Sequence, residues 1–172
     1  MLRSLDRSHL RHLSLDISRA KAAIDDADAA FLGEHDSHFF QTFNLNKKSV
    51  TLNLRTPRGK DILKALVKDA DVLLENYAPG VMDRLGLGYS VLKEINPRLI
   101  YATGTGYGIT GPDRDNLAMD HTIQAAGGLM SITGERGGPP ARAGGTPADV
   151  LGGIHMHAGV MQALLGREKT GK

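Results

Sequence analysis

The chain has 172 residues, enough for one domain of ordinary size with a buried core. Its 41% hydrophobic and 23% charged residues are globular values, and a net charge of +2 gives no electrostatic case for nucleic acid or an anionic membrane. The absence of cysteine excludes disulfides, thiolate catalysis and Cys-based metal sites, and no apolar run reaches the roughly 18 residues a membrane span needs.

Residues 1–33 read as a polar, helical arm with a thin apolar stripe of Leu10, Leu13 and Ile17, loosely packed or disordered. The start lacks the apolar core of a secretory signal. Arg3, Arg7 and Arg11 hint at a transit peptide, Asp6 and Asp16 argue against one, and a cytoplasmic protein is expected. Ser49 to Leu54 alternates polar and apolar residues, the pattern of a half-buried strand. Thr56-Pro57 then opens a helix whose apolar face is Ile62, Leu63, Leu66 and Val67. Asp71 to Glu75 is a short continuous apolar run suited to a buried parallel strand. Ser90 caps a short helix that Pro97 stops, and Leu99 to Ala102 forms another strand. Strand and helix therefore alternate, which predicts an α/β fold with a partial Rossmann-like open sheet and flanking helices. Residues 120–132 read as helical, 134–145 as loop, and a final helix runs from about Pro147 to Leu165.

Several clusters have both a plain and a functional reading. Gly104-x-Gly106-x-Gly108 follows a strand but matches neither G-x-G-x-x-G nor a P-loop, so it reads as a turn at the strand end where open α/β sheets bind ligands. His35/His38 and His155/His157 lack accompanying ligands, and no metal is expected. Lys47, Lys48 and Arg55 are either solvated charges or a cationic lip for phosphate oxygens. Thr146-x-x-Asp149 fits a capping box, and a helix N-terminus favours a negative charge there. On these residues alone, Asp149 reads first as a helix-start residue, with a nucleophile held at a helix end as the alternative.

From about Phe40 onward, ordered blocks carry a resemblance: Asn44 to Ser49, Ala70 to Gly80, Met82 to Gly86, Asn96 to Tyr101, Gly106 to Pro112, Asp120, Gly128 to Gly134, Asp149 and the closing Lys169 to Lys172. The chain resembles the family III CoA-transferases, which include formyl-CoA transferase, carnitine CoA-transferase and α-methylacyl-CoA racemase. The resemblance implies part of the large domain of such an enzyme, moving coenzyme A from an acyl-CoA to a small carboxylic acid through an aspartyl-CoA intermediate. Asp149 matches the nucleophile and Asp120 a second acidic position beside it. Leu52, Arg55, Asn76, Tyr77 and Arg84 match positions lining the coenzyme A site. Coenzyme A is implied as part of the substrate, with no permanently bound cofactor, and the family assembles as an interlocked homodimer.

Three further expectations follow from where this sequence departs from the family. The family pattern runs past both ends of the chain: residues 1–33 do not match its first Rossmann-like strand, and its glycine loop and small domain fall after Lys172. The reading is thus a divergent arm over 1–33 and an incomplete large domain over 34–172. A truncated, non-catalytic CoA-binding or inactive product stands as the alternative to an active transferase. The racemase stands third, because Met119 occupies the place of the racemase's proton-transferring His, with His121 on the other side of Asp120.

Overall fold

The computed structural model describes residues 12–14 and 38–171. In chain order these form β1 (His12–Ser14), α1 (His38–Phe43), α2 (Pro57–Lys68), β2 (Val72–Glu75), α3 (Val81–Arg84), α4 (Tyr89–Ile95), β3 (Ile100–Thr103), α5 (Asp120–Ala126), a 3-10 turn (Leu129–Ile132) and α6 (Pro147–Thr170). The three strands make one parallel sheet in the order β1-β2-β3, with Leu13 opposite Leu73 and Leu73 opposite Tyr101. Parallel neighbours need crossovers, and helices α2, α3 and α4 supply them among the described residues. This is the expected open α/β arrangement.

α2 starts as its sequence dictates. The Thr56 hydroxyl oxygen accepts the Gly59 N–H at 3.2 Å, and Pro57 sits in the first turn, where its missing N–H has no intrahelical partner to lose. Leu63 and Val67 from its inner face are fully buried against Leu73 of β2, with Met82, Leu87, Leu92 and Leu99 completing the core. Ile62 and Leu66, expected on the same face, are 39% exposed, so the buried stripe is narrower than the apolar one. Asn96, just past α4, donates from Nδ2 to the carbonyls of Val67, in the last turn of α2, and of Ala70, just after it, at 2.9 and 2.8 Å, which ties the end of α4 to the end of α2. At the far edge, Arg167 of α6 is 5% exposed, donates from Nη1 to the Arg98 carbonyl at 2.8 Å and pairs with the Asp71 carboxylate. That contact anchors the end of α6 beside the starts of β2 and β3.

Five expectations change. Residues 49–54 form no strand: the turn closed by Thr56 N–H to the Asn53 carbonyl at 3.1 Å takes the segment into α2, and Leu52 and Leu54 pack on the core without strand neighbours. His12–Ser14 is a strand, not helix, because β2 offers it a parallel partner; the rest of the arm lies outside the described residues. The N-cap of α4 is Gly88, not Ser90. The helix from 120 ends at Ala126, because Gly128 adopts a φ of 81° that only a residue without Cβ takes easily, and α6 runs on to Thr170 rather than Leu165.

Candidate functional site

Asp149 lies in the first turn of α6, exposed, beside Pro147. The capping box expected there is not formed, since Thr146 makes no side-chain cap bond. The cap comes from another element. Asp120, the first residue of α5, accepts the Ala148 N–H at 2.8 Å and the Asp149 N–H at 3.3 Å on one carboxylate oxygen, Oδ1. Two donors that the start of any helix leaves unpaired are thereby satisfied across a tertiary contact. Asp120's other oxygen, Oδ2, accepts from Nε2 of Gln124 one turn along α5. Desolvation alone pushes the Asp120 carboxyl up, but hydrogen bonds from Gln124, Asp149 and Ala148 and the positive charge of Arg142 outweigh it, and the net shift is downward. The two acidic positions singled out by sequence are thus joined: one holds the backbone of the other.

Two helical turns beyond Asp149, about 10 Å along the axis, Met156 packs its methyl where a side chain on Gly104 would stand. An ideal Cβ on Gly104 would lie 2.2 Å from Met156 Cε and 3.8 Å from Asn76 Cβ, so α6 meets the chain just past β3 and β2 at this point. Residues seven apart share a helix face, which puts Asp149 and Met156 on one side of α6. The carboxylate therefore belongs to the face that α6 turns to the carboxyl ends of the strands, the end where open α/β sheets bind ligands.

Asn76 and Tyr77 leave β2 at that same end. Glu75, 5% exposed, accepts the Tyr77 N–H at 2.8 Å on Oε2 and the Tyr101 hydroxyl at 3.3 Å on Oε1. Burial, with Glu75 beside it, raises the Tyr101 phenol above its ordinary 10.0. Tyr77 and Leu52 both pack on the core cluster, as do Leu54 and Leu85, the chain neighbours of Arg55 and Arg84. The five positions picked by resemblance are thus each on, or one residue from, a side chain on that core. Arg55 and Arg84 are exposed; Arg84 Nη1 reaches the Pro79 carbonyl at 3.5 Å. Lys47 and Lys48 are exposed as well.

Met119 precedes α5 as its N-cap, 65% exposed; its own N–H donates to Thr122 Oγ1 at 2.9 Å, and His121 is exposed. No group of three or more His, Cys, Asp or Glu able to hold a metal exists among the described residues, and no helix among them is long and apolar enough to cross a membrane. Sequence reasoning missed Gln124 and Glu75. The signal for Glu75 was available: a carboxylate closing a buried apolar strand must find donors. For Gln124 the only cue was its i, i+4 spacing from Asp120.

A parallel open sheet, beside whose carboxyl end the Asp120 carboxylate caps the helix that opens with Asp149, defines an α/β protein with an acidic candidate site. The family model described as CoA-transferase family III matches residues 14–172. The chain belongs to this family. It is 48% identical over 137 residues to an acetyl-CoA:oxalate CoA-transferase of Acetobacter aceti, covering 79% of this chain and 35% of that one. It is 39% identical over 184 aligned positions to a formyl-CoA:oxalate CoA-transferase of Streptomyces avermitilis, covering 99% of this chain and 45% of that one. The crystal structure of a CaiB/BaiF family protein from Brucella suis superposes with a TM-score of 0.76 at 38% identity, over 81% of this chain and 37% of that one. The chain thus spans about a third to a half of the length of these relatives.

Proposed function

We propose that the protein transfers coenzyme A from an acyl-CoA to a free carboxylic acid, with Asp149 as the covalent nucleophile. The observation that carries this reading is the fixed start of α6: Asp120 holds the Ala148 and Asp149 amides, and Asp149 shares its helix face with Met156 at the carboxyl ends of the strands. Both named relatives exchange coenzyme A with oxalate, which supports a small carboxylic acid, oxalate first among those to test, as the acceptor.

The chemistry balances through two carbonyl exchanges at one side chain. The Asp149 carboxylate attacks the thioester carbonyl, the C–S bond breaks, and coenzyme A leaves as thiolate with a mixed anhydride formed at Asp149. The thiolate attacks the aspartyl carbonyl, releasing the first carboxylate and leaving an aspartyl-CoA thioester. The acceptor carboxylate then displaces the thiolate, which attacks the new anhydride on its acyl side and regenerates Asp149. Arg55 and Arg84 are the cations assigned to coenzyme A phosphates, which guanidinium groups match with paired donors. Tyr77, its backbone held by Glu75, supplies a flat surface for the nucleotide, with Asn76 and Leu52 beside it. The homodimer belongs to the same proposal, supported by the exposed Leu151 and Ile154 of α6.

The test is Asp149→Ala in the whole protein, assayed by exchange of labelled oxalate into acyl-CoA. Exchange falls to background if Asp149 is the nucleophile, and retained exchange rules it out.

A further inference from the structure

We infer that Gln124 is a positioning residue of the transfer reaction: its amide orients the Asp120 carboxylate as the cap of α6 and so sets where Asp149 stands. The inference rests on the reading of Asp149 as nucleophile. Gln124 is 2% exposed, and a buried amide must satisfy both ends. Its Oε1 accepts the Ala143 N–H at 2.9 Å and its Nε2 donates to Asp120 Oδ2. The orientation is unambiguous, because the Ala143 N–H can only donate and the carboxylate only accepts. With Oδ2 so occupied, the carboxylate plane is fixed and Oδ1 faces the Ala148 and Asp149 amides. Gln124 thereby links three pieces of chain, the loop at Ala143, α5 and the start of α6, at the point where Thr146 provides no cap. Around the Asp120 carboxylate that Gln124 holds, the charged residues are Arg142 in the adjoining loop and Asp149 of α6, which reaches it through its backbone N–H.

Gln124→Glu keeps the shape and the acceptor for Ala143 while replacing the donor to Asp120 by an oxygen. At neutral pH the two carboxylates repel and the cap loosens. At lower pH the introduced acid carries a proton and can donate to Asp120 again. The expected result is a loss of kcat of roughly 10- to 100-fold at neutral pH, the scale of a misplacement of about 1 Å. KM for acyl-CoA stays within about twofold, and kcat recovers relative to wild type as pH falls. Without substrate, amide hydrogen exchange at Ala148 and Asp149 should be faster than wild type at neutral pH and return toward it in acid. A residue that merely fills space would show no acid rescue. Asp120→Asn, with Gln124 intact, provides a second variant and should speed exchange at the same two amides while Ala143 stays protected. Wild-type exchange at Ala148 and Asp149 in both variants overturns the inference, as does faster exchange with unaltered kcat. The Asp149→Ala assay reads the nucleophile separately, so its failure is told apart from a failure here.

Discussion

Replacing Gly59 by Ala sets helix propensity against packing. Gly59 lies in the first turn of α2, and in an open helix the change is favourable by about 1 kcal/mol. Here α2 runs against the preceding turn: an ideal Cβ would lie 2.1 Å from the Asn53 carbonyl oxygen and 2.7 Å from its carbon. Ordinary contact begins near 3.4 Å, so the Asn53 backbone must retreat by about 1.3 Å. That oxygen also accepts the Thr56 N–H at 3.1 Å and the Thr56 hydroxyl at 2.8 Å, and both bonds weaken as it moves. Overpacking against backbone costs about 1–3 kcal/mol, and each weakened bond adds about 0.5 kcal/mol. After the propensity gain, a net destabilisation of about 1–3 kcal/mol is expected, with the urea midpoint lowered at unchanged slope. Leu52 adjoins Asn53 and the Arg55 N–H donates to Asn53 Oδ1 at 3.0 Å, so under the proposed function coenzyme A binding measured by calorimetry should weaken as well. A variant as stable as wild type with unchanged affinity would refute the account of this turn.

Other changes have distinct signatures. Arg167→Met removes a guanidinium bonded to Arg98 O and Asp71 and should lower stability by about 2–3 kcal/mol, below the range for a fully buried pair because the Asp71 side chain is 24% exposed; urea unfolding measures it. The Tyr101 phenol is raised above 10.0, so the folded state keeps a proton that the unfolded chain releases. The stability this gives is intact below pH 10 and declines as pH rises above it, and Tyr101→Phe should flatten that alkaline decline in thermal melts. The Asp120 carboxyl is lowered below 3.8, so its contribution is present above that pH and is lost as pH falls through the folded value. Asp120→Asn should therefore show a shallower acid limb in the same melts.

The elements that sequence revealed well are those whose signals are local. The Thr56-Pro57 start of α2 and the apolar run of β2 need no distant partner to be recognised, and both stand where expected. The alternation at 49–54 did report burial, since Leu52 and Leu54 pack on the core, but period two says nothing of whether a neighbouring strand exists. β1 failed the other way: Leu10, Leu13 and Ile17 share a helical spacing, while the strand at Leu13 depends on β2, far along the chain. The start of α6 is the most instructive case. Thr146-x-x-Asp149 has the spacing of a capping box, yet the amides go to Asp120, nearly thirty residues earlier, in a geometry no local pattern encodes. Gln124, which completes that contact, offered only its i, i+4 spacing from Asp120, and its link to Ala143 is equally non-local.

The central claim is that Asp149 becomes covalently charged with coenzyme A. Incubation of the whole protein with acyl-CoA, followed by proteolysis and mass spectrometry, tests it directly. The account predicts a coenzyme A thioester on the peptide containing Asp149, converted by hydroxylamine to a hydroxamate at that residue and absent from Asp149→Ala. A protein that exchanges coenzyme A with no adduct at Asp149, or with one on another side chain, would contradict it.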